Sequence, residues 1–135
     1  MEWMSAAAVC VGGGLGAVLR YYLERFLAPR RTSDALISAV FVINVLGSLA
    51  LGIVGAAVNV LGGQDAVAYA GLSLGLLGGF TTFSTAMVEA VQALLAGRYA
   101  RFVMLWLVQP TLSLLVLIAG YTAAAAVFLA VFSAR

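Results

Sequence analysis

GLLGGFTTFSTA, residues 75–86, lies within an uncharged stretch that runs from Ala66 to Val88. Glycine inside a helix costs about 1 kcal/mol relative to alanine, and serine and threonine hydroxyls compete for backbone hydrogen bonds. Gly78 and Gly79 are followed directly by a cluster of hydroxyl side chains, so this stretch predicts that a helix unwinds here. What such a break can do depends on the solvent around it.

The composition of the chain indicates that this solvent is lipid. Of 135 residues, 64% are hydrophobic and only 9% are charged, which lies far outside the range of soluble domains. A single cysteine and the lack of histidine argue against a disulfide framework and against zinc or iron ligands. The net charge of +2 is too small to indicate nucleic-acid binding. Without histidine or paired carboxylates, the sequence also argues against an enzyme.

Charged residues divide the chain into four apolar segments. A membrane-spanning helix needs about 20 apolar residues, and each segment is long enough. We therefore predict an all-α membrane protein, a single four-helix domain over residues 1–135, with short connections. The predicted spans are 5–27, 36–60, 66–96 and 102–132.

The arginines are distributed unevenly between the two sides of the membrane. With four spans, the first and third loops share one side, and the two termini share the other with the second loop. The loop side holds five arginines, namely Arg25, Arg30, Arg31, Arg98 and Arg101, whereas the opposite side holds only Arg135. The positive-inside rule then predicts a multi-pass protein of the cell membrane with loops 1 and 3 cytoplasmic and both termini outside the cytoplasm.

The predicted break in the third span has two interpretations. Non-helical backbone survives at membrane depth only where protein or a water-filled cavity covers it, and transport proteins use such breaks to bind ions. Alternatively, the small residues only allow close helix packing, which suits the GxxxG spacing of Gly71 and Gly75. We favour a break in the middle of the membrane over packing alone.

Single polar residues in the first two spans suggest function. Arg20 lies about two turns inside the first span, and intramembrane arginine indicates a functional site by default. A salt bridge with Glu89, at similar depth, is an equally good explanation, and the two can coexist. Asn44 is an amide in the interior of the second span. It either bonds a neighbouring helix or faces an anion path, and we favour the path.

The fourth span contains Gln109, Pro110 and Ser113. Proline removes a backbone hydrogen bond and predicts a kink. Gln109 and Ser113 are four residues apart and share a helix face. A structural kink and the lining of a pore explain this group equally well.

Three motifs together resemble one family. GGGLGAVLRY at 12–21, INVLGSLALG at 43–52 and GLLGGFTTFST at 75–85, with Glu89 just beyond, resemble the Fluc or CrcB fluoride channels. The resemblance implies a passive fluoride-selective channel, a four-helix subunit that pairs with an antiparallel partner, and two pores. It also implies a structural sodium ion at the dimer centre, held by the backbone carbonyls of Gly78 and Thr81.

The resemblance assigns a fluoride path as well. It makes Asn44 and Phe83 pore residues, places Arg20 in a vestibule, and makes Gln109 and Ser113 a polar track. Fluoride is strongly hydrated, so a pore must replace its water with hydrogen-bond donors such as the hydroxyls of Thr82 and Ser84. Aromatic ring edges are electropositive, so the rings of Phe80 and Phe83 can also face an anion.

Three positions depart from the family pattern. Ala86 replaces a second pore phenylalanine, Val40 lies in a segment that replaces a polar one, and Leu105 replaces a polar or tyrosine position. Each loss removes part of a fluoride path. Together with the one-way arginine bias, the losses favour an antiparallel heterodimer with a homologous subunit, although a homodimer stays open.

Two other functions fit a small four-helix membrane protein. A multidrug exporter of this size needs a carboxylate buried in the first span, whereas Glu2 and Glu24 lie at the two ends of that span. In a non-transporting scaffold, the glycines and hydroxyls would serve packing alone. Measurement of anion flux separates the scaffold from the channel.

Overall fold

A computed structural model describes residues 2–28, 35–61 and 66–133. Within these ranges the chain is helical and contains no strand. The α-helices are α1 (Glu2–Leu27), α2 (Ala39–Leu61), α3 (Ala66–Ala70), α4 (Gly78–Phe80), α5 (Phe83–Leu95), α6 (Tyr99–Val103) and α7 (Gln109–Ser133). Two π-helical segments, Gly71–Leu77 and Met104–Val108, join α3 to α4 and α6 to α7.

Four helical stretches are long and apolar enough to cross a membrane. They are Glu2–Leu27, Ala39–Val60, Val67–Leu95 and Tyr99–Ser133, and the last two are called here the third and fourth spans. The predicted all-α class and the number of spans are confirmed, and the chain is a multi-pass membrane protein. Of the predicted connections 28–34 and 61–65, residues 29–34 and 62–65 lie outside the described residues.

Local hydrogen bonds explain where two spans begin and end. The second span starts at Ala39 because the Ser38 hydroxyl oxygen accepts the Phe41 N–H at 3.1 Å, which caps the helix. The third span ends at a Schellman turn: Gly97 has φ +70°, and the Arg98 N–H donates to the Ala93 carbonyl at 2.8 Å. This tight turn brings the third and fourth spans side by side.

Glycines bring the first and third spans into backbone contact. A Cβ atom at Gly16 would overlap the Leu76 carbonyl oxygen, and one at Gly79 would overlap the Gly13 carbonyl oxygen. A Cβ atom at Gly75 would lie 2.9 Å from the Val9 carbonyl oxygen. Gly78, in contrast, is exposed, and a Cβ atom added there would have only the Ser73 carbonyl oxygen within 4 Å, at 3.9 Å. The adjacent glycines therefore differ: Gly79 serves packing, and Gly78 faces away from it.

Both π-helical segments have a local cause. In the third span, the Ser73 hydroxyl donates to the Tyr69 carbonyl at 2.6 Å, a back-bond that competes with the regular ladder. In the fourth span, Pro110 has no N–H for the Trp106 carbonyl, and the π-helical turn lies directly before it. The wider turns absorb backbone groups that a regular helix would leave unbonded.

Candidate functional site

Two residues of the third span leave the helix. Thr81 has φ −84° and ψ 158°, and Thr82 has φ −151° and ψ 120°, so both are extended between α4 and α5. Both belong to the hydroxyl cluster that follows Gly78 and Gly79 in the sequence.

Asn44 of α2 bonds this extended segment through both ends of its amide. Its Nδ2 donates to the Thr82 carbonyl at 2.8 Å, and its Oδ1 accepts the Thr82 N–H, also at 2.8 Å. The amide thus replaces the helical partners that Thr82 lacks. Asn44 is only 8% exposed, so water does not supply these bonds. One N–H of Nδ2 stays available for another acceptor.

The Thr82 side chain caps the helix that follows. Its Oγ1 accepts the Thr85 N–H at 3.4 Å and lies 3.1 Å from the Thr85 Oγ1. The Ser84 hydroxyl is 3.3 Å from the same oxygen. The hydroxyls of the motif therefore bond one another and stabilise the start of α5.

These bonds release two backbone carbonyls. In a continuous helix, the Gly78 carbonyl would accept the Thr82 N–H, and the Thr81 carbonyl would accept the Thr85 N–H. The first N–H bonds Asn44 and the second bonds the Thr82 hydroxyl. Both carbonyls are therefore left without their helical donors, so they are free to bind a ligand.

The two free carbonyls fit a hard cation. Such ions prefer oxygen ligands, and Gly78 is an exposed residue. Across the part of the chain that the structure describes, no group of three acidic, histidine or cysteine side chains could hold a metal. A cation at this place would thus rest on backbone oxygens.

A cavity of about 400 Å³ opens beside the break, between α2 and the third and fourth spans. It brings together seven predicted site residues from three spans: its wall contains Asn44, Gly78, Thr81, Thr82, Phe83, Gln109 and Ser113. No charged side chain contributes to the lining. The site is polar yet neutral.

Two side-chain oxygen atoms of the cavity wall are buried without a partner among the described residues. The Gln109 side chain is 3% exposed, and neither its Oε1 atom nor the Ser113 Oγ bonds any group in the described ranges. Buried polar atoms are rarely left unpaired in a folded protein. The pair therefore points to a ligand or water that enters the cavity.

The other predicted residues lie outside this cavity. Phe80 lines a separate open depression with Tyr21, Tyr22 and Arg25. Ser84 is exposed and reaches the break only through Thr82. Arg20 is half-buried, and its Nε has no hydrogen-bond partner among the described residues.

The suggested Arg20–Glu89 salt bridge is replaced by another pair. The Glu89 carboxylate lies 3.6 Å from the guanidinium of Arg101, with both side chains largely buried. The Schellman turn at Gly97 brings the start of the fourth span against α5, which gives Glu89 this nearer partner. Arg20 therefore lacks the structural explanation that Glu89 would have supplied.

The three departures from the family pattern are all buried apart from the cavity. Ala86, Val40 and Leu105 are 0% exposed, and none of them lines the cavity. Leu105 packs with Phe41 and Ala90 in an apolar cluster. These positions fill space between helices with hydrocarbon.

Sequence reasoning missed two serines of the cavity wall, Ser48 and Ser73. Ser48 follows Asn44 by four residues and so shares its helix face, a signal that was available. Ser73 reaches the wall from the π-helical segment, whose register a regular helical pattern does not give.

Comparison with known proteins identifies the family. The model of the family described as CrcB-like protein, Camphor Resistance (CrcB), matches residues 7–121. The chain is 44% identical over 91 residues to fluoride-specific ion channel FluC 2 of Cutibacterium acnes, covering 67% of this chain and 72% of the relative. It is 37% identical over 97 residues to the FluC channel of Methylobacterium nodulans, with coverage of 72% and 77%.

A third relative is a FluC 1 channel, whereas the first is a FluC 2 channel. The FluC 1 channel of Corynebacterium jeikeium is 42% identical over 92 residues, covering 61% of this chain and 65% of the relative. The family match over residues 7–121 contains the glycine motif of the first span, Asn44 and the break of the third span. The chain therefore belongs to the CrcB family, a family of fluoride-specific ion channels rather than of enzymes.

Proposed function

We propose that this chain is a subunit of a fluoride-selective channel, through which fluoride leaves the cell passively and its toxicity falls. The observation that carries the proposal is the neutral cavity beside the break, where the Ser113 hydroxyl is a buried donor without a partner among the described residues. The relatives bear the name of this activity.

The chemistry of the wall suits fluoride. The ion holds its water tightly, so the wall must offer several donors at once. The free N–H of Asn44 and the Ser113 hydroxyl supply neutral donors, and Phe83 adds the edge of a ring. Conduction requires that the ion also leaves, which a wall without full positive charge permits.

Arg20 acts outside the constriction. It lines no part of the cavity, and its guanidinium has no carboxylate partner among the described residues. Its charge concentrates anions at the entrance by its field. This is the vestibule role that the family resemblance implies.

A structural sodium ion is held by the Gly78 and Thr81 carbonyls, whose helical donors bond elsewhere. One chain supplies two oxygens, so the ion sits at the contact with a partner subunit that adds its own. The ion supplies a fixed positive charge that joins the subunits and is not transported.

The partner is an antiparallel homologous subunit. Five arginines on the side of loops 1 and 3 against one on the other side fix a single insertion, with both termini outside the cytoplasm. A homodimer of opposite orientations needs balanced loops. A heterodimer in which one pore has decayed is also favoured by the apolar side chains at Val40, Ala86 and Leu105. Two relatives have numbered names, FluC 2 and FluC 1, which is consistent with paired subunits.

The test is fluoride efflux from liposomes, followed with a fluoride electrode. The chain is reconstituted alone and together with the homologue encoded in the same genome. We expect efflux from the mixed preparation and little from the chain alone. Efflux from neither preparation contradicts the channel, and rapid efflux from the chain alone contradicts the obligate heterodimer but not the channel.

A further inference from the structure

The Asn44 amide lines the cavity and bonds the backbone of the break. We infer that Asn44 is a positioning residue for the cation site: by accepting the Thr82 N–H, it keeps the Gly78 carbonyl free to bind sodium. This inference rests on the proposed sodium site. It assigns to Asn44 a second role, distinct from contact with fluoride.

The Thr82 N–H has two competing acceptors. One is the Gly78 carbonyl, four residues earlier, which would extend α4 by the regular helical pattern. The other is the Asn44 Oδ1, which the structure places at 2.8 Å. A single N–H makes one good bond, so the bond to Asn44 costs the helix its next step. The extended backbone of Thr81, with ψ 158°, is the result.

The environment makes this competition strong. Asn44 is 8% exposed, so water cannot take its place, and a buried N–H must find an acceptor. If the Asn44 oxygen is lost, the Gly78 carbonyl is the acceptor that the helical pattern supplies. Its bond to Thr82 would then occupy the oxygen that the cation needs.

The two ends of the amide have separable roles. The Oδ1 atom holds the Thr82 N–H and so acts on the cation site. The Nδ2 group donates to the Thr82 carbonyl and has a second N–H for the anion. A side chain that keeps the acceptor but loses the donor should therefore retain sodium and lose fluoride.

Asn44→Asp and Asn44→Ala separate these roles. Aspartate retains an oxygen for the Thr82 N–H, whereas alanine removes both ends of the amide. Ser113→Ala is the matched control, because Ser113 lines the same cavity but bonds no part of the break. The purified channel assembly carries each substitution, and sodium binding is measured with radioactive ²²Na⁺ in a sodium-free buffer. This readout does not require conduction.

We expect Asn44→Ala to weaken sodium binding at least about tenfold, while Asn44→Asp and Ser113→Ala stay near wild type. Fluoride efflux should fall in all three variants. Wild-type sodium affinity in Asn44→Ala overturns the inference. Loss of sodium binding in Asn44→Asp also overturns it, and this variant decides the question if Asn44→Ala fails to fold. If the wild type itself binds no sodium, the proposed sodium site fails and the inference fails with it.

Discussion

Removal of the Ser113 hydroxyl should slow fluoride efflux without lowering the free energy of unfolding. Its oxygen is buried and has no hydrogen-bond partner within the described ranges, and it faces the cavity. Removing a polar group that bonds nothing in the protein costs the fold little. If the hydroxyl donates to fluoride, its loss removes one hydrogen bond to an ion.

The expected size follows from that single bond. A hydrogen bond to a charged group is worth about 1.5–3 kcal/mol, and each 1.36 kcal/mol changes a rate about tenfold. Ser113→Ala should therefore slow fluoride efflux by roughly 10–150-fold. The free energy of unfolding should change by less than about 0.5 kcal/mol, the usual limit for a group without partners.

Thr122→Ala is the matched control in the same helix. The Thr122 hydroxyl donates to the Ala119 carbonyl at 3.1 Å, is exposed, and lies outside the cavity. It should leave efflux unchanged. Both variants are assayed with a fluoride electrode in the conducting preparation, and unfolding is followed in detergent by circular dichroism. Wild-type efflux from Ser113→Ala refutes the assignment of this cavity to the fluoride path, as does an equal loss in Thr122→Ala.

Three further predictions address packing, electrostatics and the buried ion pair. Gly16→Ala should destabilise the fold by about 1–3 kcal/mol because the new Cβ atom would overlap the Leu76 carbonyl oxygen. Gly14→Ala is the control, because a Cβ atom there has nothing within 4 Å, and it should be neutral or stabilise the fold by up to about 1 kcal/mol. Thermal unfolding that ranks the two variants the other way contradicts the packing. Arg20→Gln should slow efflux several-fold at low salt and much less at 1 M, where the Debye length falls to about 3 Å; a reduction independent of salt argues against action through its field. Arg101→Gln should lower the unfolding free energy by about 1–3 kcal/mol because Glu89 loses its charged partner. Adding Glu89→Gln should restore part of the lost free energy. If the double variant shows no recovery, the result argues against the ion pair.

The number of spans could be predicted from the sequence because charge and length fix it. Four apolar segments separated by charged residues leave few arrangements, and the structure has four candidate spans. The ends of the spans depend on single hydrogen bonds. The second span begins at Ala39, three residues after its expected start at 36, because Ser38 caps it. Hydropathy does not show this cap.

The residues of the site could also be selected from the sequence, but their partners could not. Gly78, the threonines and Asn44 stand out as the residues that an apolar helix would avoid. The bond between Asn44 and Thr82 joins positions 38 residues apart, and no local pattern shows such a pair. The role of Asn44 in freeing the Gly78 carbonyl therefore emerges only in three dimensions.

The predicted salt bridge between Arg20 and Glu89 was wrong because it rested on depth in the membrane alone. Arg20 and Glu89 lie at similar depth by counting along the spans, which made them plausible partners. The turn at Gly97 instead brings Arg101 against Glu89. Counting gives depth, whereas the choice of partner depends on which helices are neighbours.

The neutral donors beside the break should select fluoride over a larger halide. Liposomes that contain the complete channel assembly and equal concentrations of fluoride and chloride test it directly, with one electrode for each ion. Fluoride should leave while chloride is retained. Release of both ions at similar rates, or of neither, would contradict the account.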